Sequence, residues 1–429
     1  MKHTFSSEII NPYWSEIHFL DIPGSEIFDF KIFLNSWYMY SSPDKYELSH
    51  ILEHCLFEKN LHFASPLEFK MAIDTLWASK NWYTNLFYNW YYIDWITRKY
   101  KDLSSLILKL VTDAELNEDV FKQQVQVIKN EILKAANDKP RELWVVLGKL
   151  YRSGIKTYKE RLGLIDNVSF EDIKAYYENL YVPSNMTFYI SWDISRKRNQ
   201  IIEIIKEHFK DRNTWVNIFR EYPVEQWFRQ KVITIEDPTK TNYELRLFYT
   251  LDACEEKHKI LMVFFANILM SWGWSRLQHK AREKWLIYSL QWWPDIQKDY
   301  IAVSFKEDVK KDNLIPLMKL IIDEMKDVLS WKVTQAEIDR VKWRFEWNSI
   351  RNFSTQDDLN NFYIWKCIRK EFGLDYKEYI KAFLSLWIDD LKEFSKIFNF
   401  ENWTIWLIWK DAWVVSEELR TFAQTYSKK

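Results

Sequence analysis

The chain has 429 residues, of which 47% are hydrophobic, and it carries a formal net charge of −1 at pH 7. This length and apolar content suffice for two or three domains with their own cores, and the near-zero charge excludes a strongly charge-driven partner such as nucleic acid or an anionic membrane. Three scattered cysteines, an N-terminus without an apolar signal region and the lack of any membrane-length apolar run predict a cytoplasmic protein with no membrane span.

Strand and helix patterns follow one another in each half of the chain. In the first half, a strand is predicted at 27–35, followed by helical patterns at 47–60, 66–76, 99–112, 117–137 and 196–211. The second half opens with a strand at 242–251, followed by helical patterns at 256–270, 311–329, 335–350 and 388–397. The charged stretch at 211–231 is the predicted linker between the halves.

A weak internal repeat supports this division. Residues 171–193 and 389–411 each read as a helix, a turn and an apolar strand, and their matching Asn, Thr and Trp residues keep the same spacing. Two related α+β domains, at 1–215 and 228–429, are the simplest account of this repeat. Each domain is expected to contain a mostly antiparallel sheet packed with helices.

The helix at 47–60, ELSHILEHCLFEKN, carries two of the eight histidines. Residues three and four apart lie on one face of a helix, so His50, Glu53 and His54 share one stripe. Two imidazoles on such a stripe can bind one metal ion, with the acid as general base, in the inverted H-x-x-E-H arrangement. An ordinary polar helix face is the alternative. Cys55 lies off the stripe and is predicted to pack in the core.

A catalytic zinc site needs a third protein ligand and an open position. Within the helix predicted at 117–137, Glu131 has apolar neighbours at Val127, Ile128 and Ile132, which indicate a face turned partly inward. On spacing alone, however, a solvated helix glutamate remains the better interpretation of Glu131. The second half has no H-x-x-E-H motif, so only the first half can hold this metal site.

These residues give the chain a resemblance to the M16 family of zinc peptidases, the group of pitrilysin, insulin-degrading enzyme and the mitochondrial processing peptidase. Glu131 follows His54 by 77 residues, a separation that matches the family's zinc-binding glutamate. The resemblance covers about residues 20–412 and implies the LuxS/MPP-like metallohydrolase fold. It also implies one zinc ion per chain, held by His50, His54 and Glu131, with Glu53 as the catalytic base. Zinc is preferred to cobalt or manganese from ligand type and family alone.

Two further stretches imply substrate-binding residues. NWYTN at 81–85 is similar to the family strand beside the site, which implicates Asn81 and Thr84. SRLQHKAREKWLIYS at 275–289 resembles the second-domain segment that carries a substrate-binding Arg and Tyr, here Arg282 and Tyr288. A surface arginine and a packed tyrosine are the alternatives, and the spacing of six between them is one shorter than in some relatives.

The sequence also departs from the family pattern beside the third ligand. Gln124, seven residues before Glu131, stands where many relatives have a second glutamate. An amide can still form a hydrogen bond, but it carries no charge, so it would tune the ligands less strongly.

The resemblance implies a zinc-dependent peptidase whose peptide substrate adds as a strand at the sheet edge near 81–85. The family closes two such halves over two more, so a chain of this length implies a dimer with a second copy or with a related M16 chain. A non-catalytic partner subunit is the alternative from another class, although the intact motif argues against it. An aromatic-rich carbohydrate or membrane-surface binder is a third possibility, and the many tryptophans in turn contexts argue against it.

Tryptophan and glycine occur in abnormal numbers, 24 and 6. Ordinary glycine usage of about 7% predicts roughly 30 glycines in a chain of this length, which equals the two counts together. Several tryptophans, including Trp82, Trp192, Trp272 and Trp285, stand in turn contexts or where the family resemblance implies glycine. We hypothesise that most of the tryptophans are glycines in the organism, through a genetic code in which UGA specifies glycine. A genuinely Trp-rich protein is the alternative.

Overall fold

The computed structural model describes residues 2–427 except 37, 64, 77–78, 85–88, 139–140, 143–144, 147–148, 150–153, 195–196, 213–230, 253–254, 271–274, 297–299 and 369–372. The chain forms two compact units. Unit 1 comprises Met1–Glu225 together with Thr355–Asn360, and unit 2 comprises Gln226–Ser354 together with Asn361–Lys429. The linker predicted at 211–231 lies almost entirely outside the described residues.

Unit 1 contains a six-stranded sheet in the order β1–β2–β6–β3–β5–β4, in which only β2 and β6 pair in parallel. Its strands are β1 Thr4–Ile10, β2 Ser15–Asp21, β3 Ile27–Leu34, β4 Ser79–Thr84, β5 Asn89–Ile96 and β6 Met186–Trp192. Its helices are α1 Leu48–Leu56, α2 Pro66–Leu76, α3 Tyr100–Thr112, α4 Glu118–Ala136, α5 Tyr158–Leu164, α6 Phe170–Leu180 and α7 Arg198–Phe209.

Unit 2 contains a five-stranded sheet in the order β7–β11–β8–β10–β9, in which only β7 and β11 pair in parallel. Its strands are β7 Lys231–Glu236, β8 Tyr243–Asp252, β9 Gln291–Ile296, β10 Tyr300–Val309 and β11 Trp403–Trp409. The helices of the second half are α8 Glu256–Met270, α9 Arg276–Glu283, α10 Leu314–Leu329, α11 Gln335–Asn352, α12 Gln356–Cys367, α13 Tyr376–Ser385, α14 Ile388–Ile397 and α15 Trp413–Ser427.

The two sheets repeat one topology, as the internal sequence repeat predicts. Strands β2–β6–β3–β5–β4 of unit 1 correspond in order and direction to β7–β11–β8–β10–β9 of unit 2. The repeated segments form helix α6 with strand β6 and helix α14 with strand β11. Thr187 and Thr404, which are matched in the repeat, both lie near the start of these strands. The predicted α+β class with two related domains is confirmed.

The core of unit 1 lies between its sheet and its helices. Alternate residues of β3 point to one face of the sheet because the side-chain period of a strand is two. Four of them are buried together with the apolar face of helix α1: Phe28, Phe30, Ile32 and Leu34 with Ile51, Leu52, Cys55 and Leu56. Full burial of one such large apolar side chain contributes about 1.5–3 kcal/mol, so this face fixes α1 against the sheet. Cys55 is part of this core, as the sequence predicts.

The first turn of α12 belongs to unit 1 although the rest of that helix belongs to unit 2. The Gln356 amide donates to the Ser191 carbonyl oxygen and hydroxyl at 3.1 and 2.8 Å. The Asn360 amide donates to Asp29 at 2.7 Å and accepts from the Tyr189 hydroxyl at 3.2 Å. These hydrogen bonds between buried groups explain why residues 355–360 join this unit despite their place in the sequence.

The tryptophans predicted at tight turns differ in their actual backbone. Trp192 is the last residue of β6, is 1% exposed, and packs against Phe28 and Tyr100 at ring-centroid distances of 5.3 and 4.9 Å. The backbone at Trp192 therefore does not require the glycine that the family resemblance implies there, because an extended strand accommodates any residue. Trp82 likewise lies within β4, while Trp272 lies outside the described residues. Trp285 does lie in a tight turn, with φ of 52°.

Among the described residues, no helix has both the length and the apolar character needed to cross a membrane.

Candidate metal centre

Helix α1 presents its polar stripe away from the core it helps to form. Ile51, Leu52 and Leu56 are buried in the core of unit 1, so the remaining face carries His50 and His54, which are partly buried. Their rings lie 5.0 Å apart between centroids. Glu53 is on the same stripe and is 7% exposed. The predicted helix and its shared stripe are both found.

Helix α4 brings the third acidic residue to this stripe. Asn117 is the N-cap of this helix. Its side-chain oxygen accepts hydrogen bonds from the backbone amides of Asp119 and Val120, which fixes where the helix begins. Ile128 and Ile132 are buried, whereas Val127 is 42% exposed, so the inward face is narrower than the sequence predicts. Helices α1 and α4 contact each other, and Glu131 lies at their junction.

The Glu131 carboxylate lies close to both histidines. Its Oε2 lies 3.6 Å from His50 Nε2 and 3.7 Å from His54 Nε2. One ligand atom from each of the three residues lies within 4.8 Å of the other two, and no other such group of His, Cys, Asp and Glu occurs in the described part of the chain. Zinc–nitrogen bonds of about 2.1 Å at tetrahedral angles would separate neighbouring ligand atoms by about 3.4 Å. The two distances from Glu131 to the histidines lie close to this value, and two imidazoles with one carboxylate are ligand types that zinc accepts.

The other ring nitrogens of the two histidines have partners of their own. His54 Nδ1 lies 3.1 Å from Gln124 Oε1, and His50 Nδ1 lies 3.0 Å from Glu47 Oε2. Both partners offer an acceptor oxygen, so each imidazole can keep a hydrogen on Nδ1 while Nε2, once it carries no proton, donates its lone pair to a metal ion. Both Nε2 atoms face Glu131, on the side where a metal ion would bind.

The charged groups of this cluster shift one another's pKa values. Burial lowers the pKa of His50, but its hydrogen bonds to Glu131 and Glu47 outweigh burial and raise the pKa to about 9. The hydrogen bond from His50 lowers the pKa of Glu131, so this carboxylate is ionised at neutral pH. A divalent cation bound by Nε2 would therefore displace a proton from His50, and its binding is expected to strengthen as the pH rises.

Sequence reasoning missed two residues of this cluster, Glu47 and Arg161. Glu47 stands three residues before His50, a spacing that could have indicated contact on a helix. Arg161 lies on α5, and nothing in the sequence connects it with α1. Burial raises the pKa of Glu47, but Arg161 and His50 lower it further, to about 2.

The residues assigned to substrate binding lie in both units. Asn81 and Thr84 pair through β4 with Tyr92 and Asn89 of β5, and β4 forms one edge of the six-stranded sheet. Helix α1 contacts this edge strand.

Arg282 and Tyr288 belong to unit 2, where both are exposed. Arg282 Nε donates to the Tyr288 carbonyl oxygen at 2.7 Å, and its guanidinium carbon lies 5.3 Å from the centre of the Tyr288 ring. These contacts pair the two predicted residues with each other on the surface of unit 2, so the alternative of a packed Tyr288 does not hold.

Comparison with known proteins places these features in a family context. Residues 167–345 match the family model described as the Peptidase M16 inactive domain. This segment excludes His50, His54 and Glu131. The zinc protease PqqE of Helicobacter pylori is 21% identical over an alignment of 365 residues, and the match covers 80% of this chain and 79% of that protein.

Solved structures with the same fold extend over nearly the whole chain. A protease from Helicobacter pylori matches with a TM-score of 0.75 and 17% identity, over 95% of this chain and 100% of that one. The M16-like peptidase from Alicyclobacillus acidocaldarius matches with a TM-score of 0.74 and 12% identity, over 95% and 98% of the two chains. The periplasmic protease PqqL from Escherichia coli matches with a TM-score of 0.77 and 13% identity, over 100% of this chain but 51% of that chain.

Proposed function

Because the chain belongs to the M16 family of peptidases, we propose that it is a zinc-dependent metalloendopeptidase that hydrolyses oligopeptides or unfolded segments. One observation carries this proposal: His50, His54 and Glu131 meet at distances that suit zinc, with Glu53 on the same helix stripe. The similarity to a zinc protease of Helicobacter pylori supports the choice of metal.

His50, His54 and Glu131 would hold one zinc ion. When bound, zinc supplies a Lewis acid that polarises a carbonyl and acidifies water. Glu53, one residue before His54, would take the proton from the attacking water and deliver it to the leaving amine. Its position on α1 is fixed by the buried face of that helix, which also carries the two histidine ligands.

The edge strand β4 supports a mode of substrate binding. An edge strand presents unpaired backbone groups along its outer side, and a peptide in extended form can add there through main-chain hydrogen bonds. Asn81 and Thr84 lie on this strand, and helix α1, which carries the stripe, contacts it. Such pairing recognises few side chains, so we expect loose sequence specificity. Arg282 and Tyr288 are proposed to hold substrate from the second unit.

We propose that the active form is a cytoplasmic dimer, formed with a second copy or with a related M16 chain. Its other candidate role is a weakly active or non-catalytic partner subunit. The description of the matched family model as an inactive domain favours this second role. The three ligands and Glu53, which lie outside the matched segment, favour the first.

One set of measurements distinguishes these roles. The purified protein is assayed for bound zinc and for cleavage of a mixture of unstructured peptides, before and after treatment with a chelator and after zinc is restored. A peptidase binds about one zinc ion per chain, loses cleavage with the chelator and regains it with zinc. Glu53→Gln retains zinc without cleavage. Zinc binding with no cleavage by the unaltered chain, alone or with a related chain, would instead identify a non-catalytic subunit.

A further inference from the structure

A buried ion pair adjoins the metal centre and is not explained by the ligands themselves. Glu47 has a side chain that is only 1% exposed, and Arg161 one that is 20% exposed. Arg161 Nε donates to Glu47 Oε1 at 2.5 Å and its second nitrogen, Nη2, donates to Oε2 at 2.9 Å. The rings of Tyr46 and Tyr158 lie 5.8 and 5.6 Å from the guanidinium carbon. The pair is therefore bidentate and enclosed.

Burial of two charges is a poor source of stability, because desolvation offsets most of the attraction. The geometry points instead to a connection with the metal centre. Glu47 Oε2, which accepts from Arg161, also lies 3.0 Å from His50 Nδ1. The Nδ1 side of the His50 ring therefore contacts a carboxylate that is itself bound by an arginine.

We propose that Glu47 and Arg161 are positioning residues for zinc, an inference that rests on the proposed function. Glu47 holds the Nδ1 hydrogen of His50 and so directs Nε2 towards Glu131. Arg161 engages both oxygens of Glu47, which prevents this carboxylate from turning towards the metal and taking the open position that catalysis needs. In the corresponding place, His54 Nδ1 contacts the neutral amide of Gln124, so within the described part of the chain the charged support belongs to His50.

Loss of such an outer partner typically lowers metal affinity by about 10–100-fold. We therefore expect Glu47→Ala to weaken zinc binding within this range, measured by competition with a chromophoric chelator. Glu47→Gln keeps an oxygen acceptor for His50 and should recover part of the affinity. The double variant Glu47→Gln/Arg161→Met removes both buried charges together, which keeps the comparison possible if Glu47→Ala does not fold.

Lys45→Met is the matched control, because Lys45 lies two residues before Glu47 and forms a partly exposed ion pair with Asp172 at 2.5 Å. It should bind zinc as the unaltered chain does. The absorption spectrum of cobalt(II) bound in place of zinc gives a second readout, since a displaced His50 changes the ligand field while a general loss of stability does not.

The outcomes separate the two proposals. If the unaltered chain binds no zinc, the proposed function fails first. If it binds zinc and cleaves peptides, but Glu47→Gln/Arg161→Met and any folded Glu47→Ala protein match it in zinc affinity and cobalt spectrum, only the positioning roles are overturned.

A second inference rests on a different observation, the backbone of the tryptophans. Five described residues have φ in the left-handed region: Gly24, Gly154, Trp14, Trp285 and Trp331. The non-glycine residues that ordinarily adopt this conformation are asparagine and aspartate, whose short side chains tolerate it. Among the described residues, every non-glycine residue with positive φ is a tryptophan.

Two of these tryptophans occupy the same position in the same helix-ending motif. Trp285 follows the cap of α9, where its amide donates to the Arg282 carbonyl oxygen and the Leu286 amide donates to that of Ala281. Trp331 follows the cap of α10. There its amide donates to the Val328 carbonyl oxygen, and the Lys332 amide donates to the Asp327 carbonyl oxygen. This pair of bonds defines the Schellman motif, whose left-handed residue is usually glycine.

The third tryptophan lies in the connection between β1 and β2. The Trp14 amide donates to the Ile10 carbonyl oxygen at 2.9 Å and φ is 60°. The side chains are 59, 89 and 47% exposed at Trp14, Trp285 and Trp331 respectively, so core packing does not explain the choice of residue. We infer that glycine occupies these three positions in the native protein, as expected if UGA specifies glycine in the organism.

Two measurements test this inference. The gene should carry UGA at codons 14, 285 and 331, and mass spectrometry of peptides from the native protein should find glycine at all three. UGG at these codons, or tryptophan at position 285 or 331 in the native peptides, would overturn it.

Discussion

Replacement of Trp285 and Trp331 by glycine in the chain as written is expected to stabilise the protein. Both residues have positive φ, at 52° and 63°, a conformation that costs a non-glycine residue about 1–2 kcal/mol. Glycine removes this cost but makes the unfolded chain more flexible, which offsets about 0.4–1 kcal/mol. The exposed Trp285 side chain, at 89%, leaves little packing to lose.

The net gain should be about 1 kcal/mol at each position. The two sites share no hydrogen-bond partner among those described, so their effects should add to about 2 kcal/mol. For a unit of some 200 residues, this corresponds to a rise in Tm of roughly 4–8 °C. The assay is thermal and urea unfolding of purified single and double variants, followed by circular dichroism.

Alanine variants separate backbone strain from the loss of the indole ring. Trp285→Ala retains the strained φ, so Trp285→Gly should be more stable than Trp285→Ala by about 1 kcal/mol. Trp343 is the matched control because it is 61% exposed within helix α11. There, glycine should be less stable than alanine by about 1 kcal/mol. Equal stability of the glycine and alanine variants at 285 and 331 would refute the strain argument.

Three further predictions address the site and its electrostatics. Glu53→Gln should retain zinc and lose about 10²–10⁴-fold in peptide cleavage, whereas Glu131→Ala should lose both; near-normal turnover of Glu53→Gln would remove Glu53 from the role of base. A mixture of Arg282→Ala and Glu53→Gln chains should regain activity if Arg282 acts on the partner's metal centre, and demonstrated subunit exchange without recovery would contradict this. Burial raises the pKa of Glu244, but Lys240 and Arg246 lower it further, to about 2 from the ordinary 4.5. The stability that this shift contributes is present above pH 4.5 and lost as the pH falls towards 2, so Glu244→Gln should flatten the decline of unfolding free energy across that range, and an unchanged slope would exclude this carboxylate as its source.

The sequence was sufficient for features that depend on local periodicity. Helix α1 and its stripe of His50, Glu53 and His54 follow from a 3.6-residue repeat that any stable amphipathic helix must show. The strands β3 and β8 were predictable from the two-residue alternation of a strand, and the repeated helix–strand segments from both periods. The excess of tryptophan over glycine is also a property of the composition, and it required no coordinates.

Tertiary structure decided what depends on distant residues meeting. Spacing alone left Glu131 as a solvated glutamate, and only the contact between α1 and α4 joins its carboxylate to both histidines at 3.6 and 3.7 Å. Arg161 contacts Glu47 although 114 residues separate them, and no periodic pattern in the sequence predicts this contact. Backbone angles likewise separated Trp285, in a left-handed turn, from Trp192, in a strand. A sequence pattern records which face of an element is apolar, but the partner of that face is chosen by the packing of the whole unit, and φ at a helix end is set by the bonds that close it.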